Sequence, residues 1–226
     1  MRAAVVDWKR SRPPNLGALR RTTPIDANWG YERGTPIDRV YVERFVGSHA
    51  ADIRGSVLEV AAPDYAVRYG RDITQVDVLM AKAGDPKATV VGDLADAPHI
   101  PNDRFDCTIV TQTLQFVYDI RGALATLHRI LAPGGVLLAT VPGITKISPL
   151  EDVEYGEWWH YTGRSARRLA EEAFGEGNVK VETFGNVLAA AGFLYGLAAS
   201  DLHPEELVVN DPLYEVTVGL RAVKDG

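Results

Sequence analysis

The sequence predicts an α/β fold, a doubly wound, mostly parallel sheet of about seven strands preceded by an N-terminal arm and a helix. Three observations predict it. Short apolar runs alternate with helical patterns along the centre of the chain, which implies parallel strands joined by right-handed crossovers. Pro133-Gly134-Gly135 punctuates the passage from an amphipathic helix to a long apolar strand. The 226 residues contain no internal repeat, and their length suits one such domain.

The elements follow in order. Residues 1–27 are rich in Arg, Pro and Thr and have no sustained period, so they read as a flexible arm ahead of a single domain over 28–226. Gly34-Thr35-Pro36 reads as a helix entry, with Thr35 as the cap and Pro36 in the first helical position. Val40, Tyr41, Phe45 and Val46 recur at helical spacing, which predicts a helix over 36–50. Ser56–Val60, Thr74–Leu79, Ala88–Val91 and Phe105–Thr111 read as the first four strands. Ile120–Leu131 is an amphipathic helix broken by Pro133-Gly134-Gly135, and Val136–Val141 is the fifth strand. Further on come a helix over Arg164–Phe174, a strand over Val179–Phe184, a helix over Val187–Leu202 and a closing strand over Tyr214–Val223.

Composition excludes several function classes. The 46% apolar and 24% charged content is that of a globular chain able to bury a core without disulfides. Cys107 is the sole cysteine, so no disulfide or multi-cysteine metal site can form, and its apolar surroundings read as core. No HxH, HExxH or other metal-binding spacing occurs. No apolar run reaches the ~18 residues that span a bilayer, and no secretory leader is evident, so a cytoplasmic protein without membrane contact is expected. Residues 1–21 carry a net +5, leaving −11 on the rest of a chain whose formal charge is −6. An acidic body argues against nucleic acid as a partner.

Polar residues at strand ends mark the expected site, because ligands of open α/β sheets sit beyond the carboxyl ends of the strands. Glu59 closes the first strand, Asp77 ends the second 18 positions later, and Asp93 follows the third. An acid at about that distance from the first turn is placed to accept ribose hydroxyls, and an acceptor after the third strand can take an adenine amino group.

Three stretches then resemble the class I S-adenosylmethionine-dependent methyltransferases, a Rossmann-like family. They are VLEV, with Glu59 in the usual acidic place; ATVVGDLADAPHIPNDRFDCTIVTQTLQFVYD; and ALATLHRILAPGGVLLATVPG. The resemblance implies S-adenosyl-L-methionine as cofactor and methyl transfer to a small molecule. An oxygen acceptor of natural-product or sugar metabolism is the expected substrate. It places cofactor contacts at Glu59, Ala61, Tyr65, Asp77 and Val78, and at Asp93, Leu94, Thr111 and Gln112. The chain departs from the family at its first loop. Ala61, Pro63 and Tyr65 stand where the pattern E-x-G-x-G-x-G has glycines. Two other readings follow from that loss and stay open at this stage. One is an enzyme of this fold that does not use the cofactor, such as a cyclase. The other is a non-catalytic subunit of a homo- or hetero-oligomer.

Acceptor contacts are expected from the polar and aromatic segment before the first strand, at Tyr31, Arg39 and Tyr41. An Arg or Tyr there also suits the cofactor's carboxylate. Gln115 after the fourth strand can orient an acceptor. The segment EWWHYTGRSARRLAEEAFG resembles one that follows the fifth strand in the family, and it adds Trp158, Trp159 and Tyr161. His160 between them is the candidate general base.

Overall fold

A computed structural model describes residue 15 and residues 17–226. Residues 1–14 and 16 of the arm lie outside the described residues. The helices are α1 (Ile37–Ser48), α2 (Asp64–Tyr69), α3 (Ile120–Ile130), α4 (Pro149–Tyr155), α5 (Gly163–Phe174), α6 (Val187–Tyr195) and α7 (Pro204–Val208). The strands are β1 (Gly55–Val60), β2 (Ile73–Met80), β3 (Val90–Val91), β4 (Phe105–Thr111), β5 (Leu131–Pro142), β6 (Val179–Phe184) and β7 (Thr217–Val223).

The strands form one sheet in the order β3-β2-β1-β4-β5-β7-β6. β1 to β5 are parallel, and β7 runs antiparallel to both β5 and β6. Strand order reverses between β1 and β4, which opens a crevice at their carboxyl ends. The period-two alternation of each strand gives the sheet two apolar faces. Leu58, Leu79, Val110, Leu137 and Ala139 pack toward α3 and α5. Val57, Cys107, Ile109, Val136 and Leu138 pack toward α1, α2 and α6. Cys107 is fully buried there, and burial pushes its thiol pKa up, as a core cysteine requires. Gly219 in β7 lets α1 sit close, since a Cβ there would lie 2.4 Å from the Phe45 ring. No helix among the described residues is long and apolar enough to cross a membrane.

Several elements differ from the sequence-based expectation. Pro36 is the N-cap of α1 rather than its first residue, and Thr35 makes no capping bond. β3 is only two residues long, and no helix joins β2 to β3 or β3 to β4. Pro133-Gly134-Gly135 does not break α3. The helix has already ended at Ile130, and Leu131 turns extended directly into β5. A pre-proline residue disfavours the helical region, so Ala132 supports that turn. The register slips between Phe105 and Cys107 to absorb the glycines. α6 stops at Tyr195 because Gly196 takes the left-handed cap at φ 74°. The last strand begins at Thr217, after an irregular passage from Tyr214.

The described end of the arm docks on α6. Ile25 N–H donates to Tyr195 O at 2.7 Å, and the Tyr195 hydroxyl donates to Leu19 O at 2.7 Å. Asp26 is buried and accepts from Asn28 N–H and Glu32 N–H at 2.6 and 3.0 Å. This turn carries Trp29 and Tyr31 to the mouth of the crevice.

Candidate active site

Two adjoining cavities occupy the carboxyl edge of the sheet. The larger, about 1030 Å³, is lined from the ends of β1 to β4 and by α1, α2 and α4. The smaller, about 430 Å³, lies between α1, the segment after β4 and the segment after β5. Tyr31, Arg39, Gln112, Phe116 and Glu151 line both. These volumes are on the scale of small-molecule sites.

The first loop keeps a glycine-like shape without glycine. Ala61 adopts φ 73°, and its N–H donates to Leu79 O at 3.1 Å. Left-handed backbone costs a residue with a Cβ about 1 kcal/mol. Ala61→Gly is therefore expected to stabilise the fold by about 1 kcal/mol, read as a higher urea midpoint with unchanged slope. An unchanged or lower midpoint would contradict the strain.

Glu59 is buried and shapes this loop from beneath. Its carboxylate accepts from Tyr65 N–H at 3.0 Å and Ala66 N–H at 2.8 Å, two donors of the first turn of α2. Burial pushes its pKa up to about 7, although the two N–H donors favour the ionised form. A raised carboxylate pKa means the folded state holds the proton more tightly than the unfolded chain. The stability this confers is fullest below the unfolded value and declines as pH rises from about 4.5 to about 7. Relative to Glu59→Gln, the wild-type protein should lose at most about 3 kcal/mol across that window in denaturant titrations. A pH-independent difference would count against the shift.

Asp93 and Leu94 line the larger cavity as expected, with Thr111 and Gln112 across from them. Asp93 uses one carboxylate oxygen on Ala95 N–H at 2.9 Å, leaving the other for a ligand. Asp77 and Val78 do not line it. β2 continues to Met80, so Asp77 sits three residues inside the strand, opposite Leu58. Its carboxylate is taken up by Arg104 at 2.7 Å, Thr89 at 2.8 Å and Gln75 at 2.8 Å. It braces the β2–β3 edge, and Val78 N–H donates to Thr89 Oγ1 in the same brace. Met80, Ala81 and Lys82 form the wall where a ribose acceptor was expected.

Arg39 stands at the junction of the cavities. Its Nε donates to the Tyr31 hydroxyl at 3.2 Å, and the Tyr65 hydroxyl lies beside the guanidinium. Burial works against this cation, but Asp38, Tyr31 and Tyr65 more than offset it and raise its pKa. Asp38 lines the smaller cavity, and burial raises its pKa against the opposing influence of Arg39. No side chain among the described residues donates a hydrogen bond to it. Gln115 is 5% exposed and donates through Nε2 to Gln112 O at 2.9 Å. Its Oε1 and the Gln112 Nε2 are buried without a hydrogen-bond partner. A buried amide atom left unpaired costs about 1–3 kcal/mol, so each of these two residues of the smaller cavity has an atom free for a polar group.

The remaining expected acceptor contacts lie elsewhere. Tyr41 is 1% exposed and stacks on Phe184 in the core. Tyr161 is buried under β5, its hydroxyl donating to Leu114 O at 3.1 Å. Trp158 and Trp159 face outward and pack against Tyr118, because Trp158 N–H is pinned to Gln115 O and Tyr161 N–H to Pro142 O. His160 lines neither cavity and pairs with Glu157 Oε1 at 3.1 Å on the surface, so it is not placed as a base. Asp38, Lys82, Lys146 and Glu151 are cavity residues that the sequence reading did not select. Lys146 lies 3.2 Å over the Trp29 ring, and burial lowers its pKa.

Residues 53–139 match the family model described as Methyltransferase domain. Over those residues, fewer than half of the chain, the sequence is similar to methyltransferase domains. A curated relative, the ubiquinone/menaquinone biosynthesis C-methyltransferase UbiE of Marinomonas sp. (strain MWYL1), is 30% identical over 131 residues. Those residues are 58% of this chain and 47% of that protein, so the chain matches about half the relative's length. Among solved structures, an S-adenosylmethionine-dependent methyltransferase from Mesorhizobium loti superposes with a TM-score of 0.52 at 16% identity, covering 81% of this chain and 98% of its own. Haemonchus contortus phosphoethanolamine N-methyltransferase 2, in complex with S-adenosyl-L-methionine, gives 0.52 at 14% identity, covering 93% and 55%. At these identities the likeness shows the fold, and it is the methyltransferase-domain fold that the motifs led one to expect.

Proposed function

We propose that the chain transfers a methyl group from S-adenosylmethionine, held in the larger cavity, to a hydroxyl oxygen of a small molecule held in the smaller one. A natural-product or sugar-like acceptor fits this reading. The observation that carries it is the pair of contiguous cavities meeting at Arg39 and Gln112. The residues present fit the cofactor. Ala61 keeps the turn that glycine would make, Asp93 has an oxygen for an amino group, and the partly buried Arg39 cation suits a carboxylate. Glu59 supports the loop rather than the ligand.

The cofactor supplies an already activated methyl group, so the protein's tasks are orientation, water exclusion and proton removal. Gln112 Nε2 donates to the acceptor molecule and Gln115 Oε1 accepts from it. Asp38, on the wall of the smaller cavity, would receive the acceptor hydroxyl's proton. A raised pKa suits this carboxylate to that task. A crystal structure with S-adenosylhomocysteine tests the arrangement. Density in the larger cavity with its carboxylate against Arg39 is expected; the same ligand seated in the smaller cavity would contradict the assignment.

A further inference from the structure

The cofactor reading leaves the ribose without its expected partner, because Asp77 is committed to Arg104 and Thr89. Other carboxylates line the larger cavity, and most are engaged or distant from the end of β2. Glu59 is held by two backbone N–H groups, and Glu43 pairs with Arg68 at 2.8 Å. Asp93 follows β3, and Asp64 opens α2 beside the first loop. Glu151, on α4, remains.

α4 is tied to the segment just past β2 by a side-chain contact. Lys82, two residues past that strand, bonds Glu154 Oε1 at 3.1 Å, and its ammonium lies 4.5 Å over the Tyr155 ring. Glu151 and Tyr155 are one helical turn apart on the same face, and both line the cavity. Glu151 Oε2 accepts from Ser148 Oγ at 2.5 Å, which orients the carboxylate and leaves Oε1 to the cavity. We propose that Glu151 on α4 takes the ribose hydroxyls of the cofactor in place of the missing β2 carboxylate, with Lys82 positioning α4 for it. This inference rests on the methyltransferase reading. Glu151 also lines the smaller cavity, so a bound cofactor would fix one wall of the acceptor site.

Calorimetric titration of the full chain with S-adenosylhomocysteine and with its 2′,3′-dideoxy analogue tests this. The wild-type protein should bind the natural ligand more tightly than the analogue. Glu151→Ala should weaken the natural ligand about tenfold or more and leave the analogue's affinity unchanged, erasing the preference. Lys82→Ala should reduce the same preference in part. Equal affinity of Glu151→Ala and wild type for S-adenosylhomocysteine overturns the role of Glu151 while the cofactor reading stands. Absence of binding to the wild-type protein overturns both. Circular dichroism of each variant separates these outcomes from misfolding.

Discussion

Arg39→Gln should weaken S-adenosylmethionine binding by about 30-fold to 1000-fold in a calorimetric titration. Truncating a partly buried cation that faces a ligand carboxylate costs roughly 2–4 kcal/mol, because the carboxylate then loses both charge and hydrogen bonds. The effect should be specific. Arg39 bonds the Tyr31 hydroxyl and neighbours Tyr65, and neither contact anchors the core, so the melting temperature should move little. Affinity within twofold of the wild type would remove Arg39 from the cofactor site.

Asp38→Asn is expected to lower kcat by about 100-fold to 10,000-fold with cofactor affinity unchanged, since a carboxamide cannot take the acceptor's proton. The pH profile carries the sign. Burial raises the Asp38 pKa, and a base acts only when deprotonated, so the wild-type rate should fall as pH drops through that raised value. The variant should lack this acidic limb. A near-normal rate in Asp38→Asn, or an acidic limb that persists in it, would show that the proton leaves by another route.

The sheet was largely legible because the buried parallel strand Phe105–Thr111 writes itself as an apolar run and the antiparallel edge strand Val179–Phe184 as an alternation, and both match to the residue. The short helices were not. α2, α4 and α7 span six, seven and five residues, too few to establish a period. The site was legible in place but not in detail. Counting 18 residues from Glu59 reaches Asp77, yet the count cannot tell that β2 runs on through Met80 in register with Val91. Aromatic density around His160 suggested a pocket wall, but backbone bonds on either side turn both tryptophans outward. Asp38 and Arg39 are adjacent on the first turn of α1, and only tertiary packing brings both to the smaller cavity. The first loop shows the reverse case. Its glycines are absent, but Ala61 still takes the left-handed conformation that the turn demands.

Direct titration of the purified wild-type chain with S-adenosylmethionine tests the central claim. One site of micromolar affinity, weakened about 30-fold or more by Arg39→Gln, is the expected result. No heat of binding and no thermal shift at millimolar cofactor would contradict it.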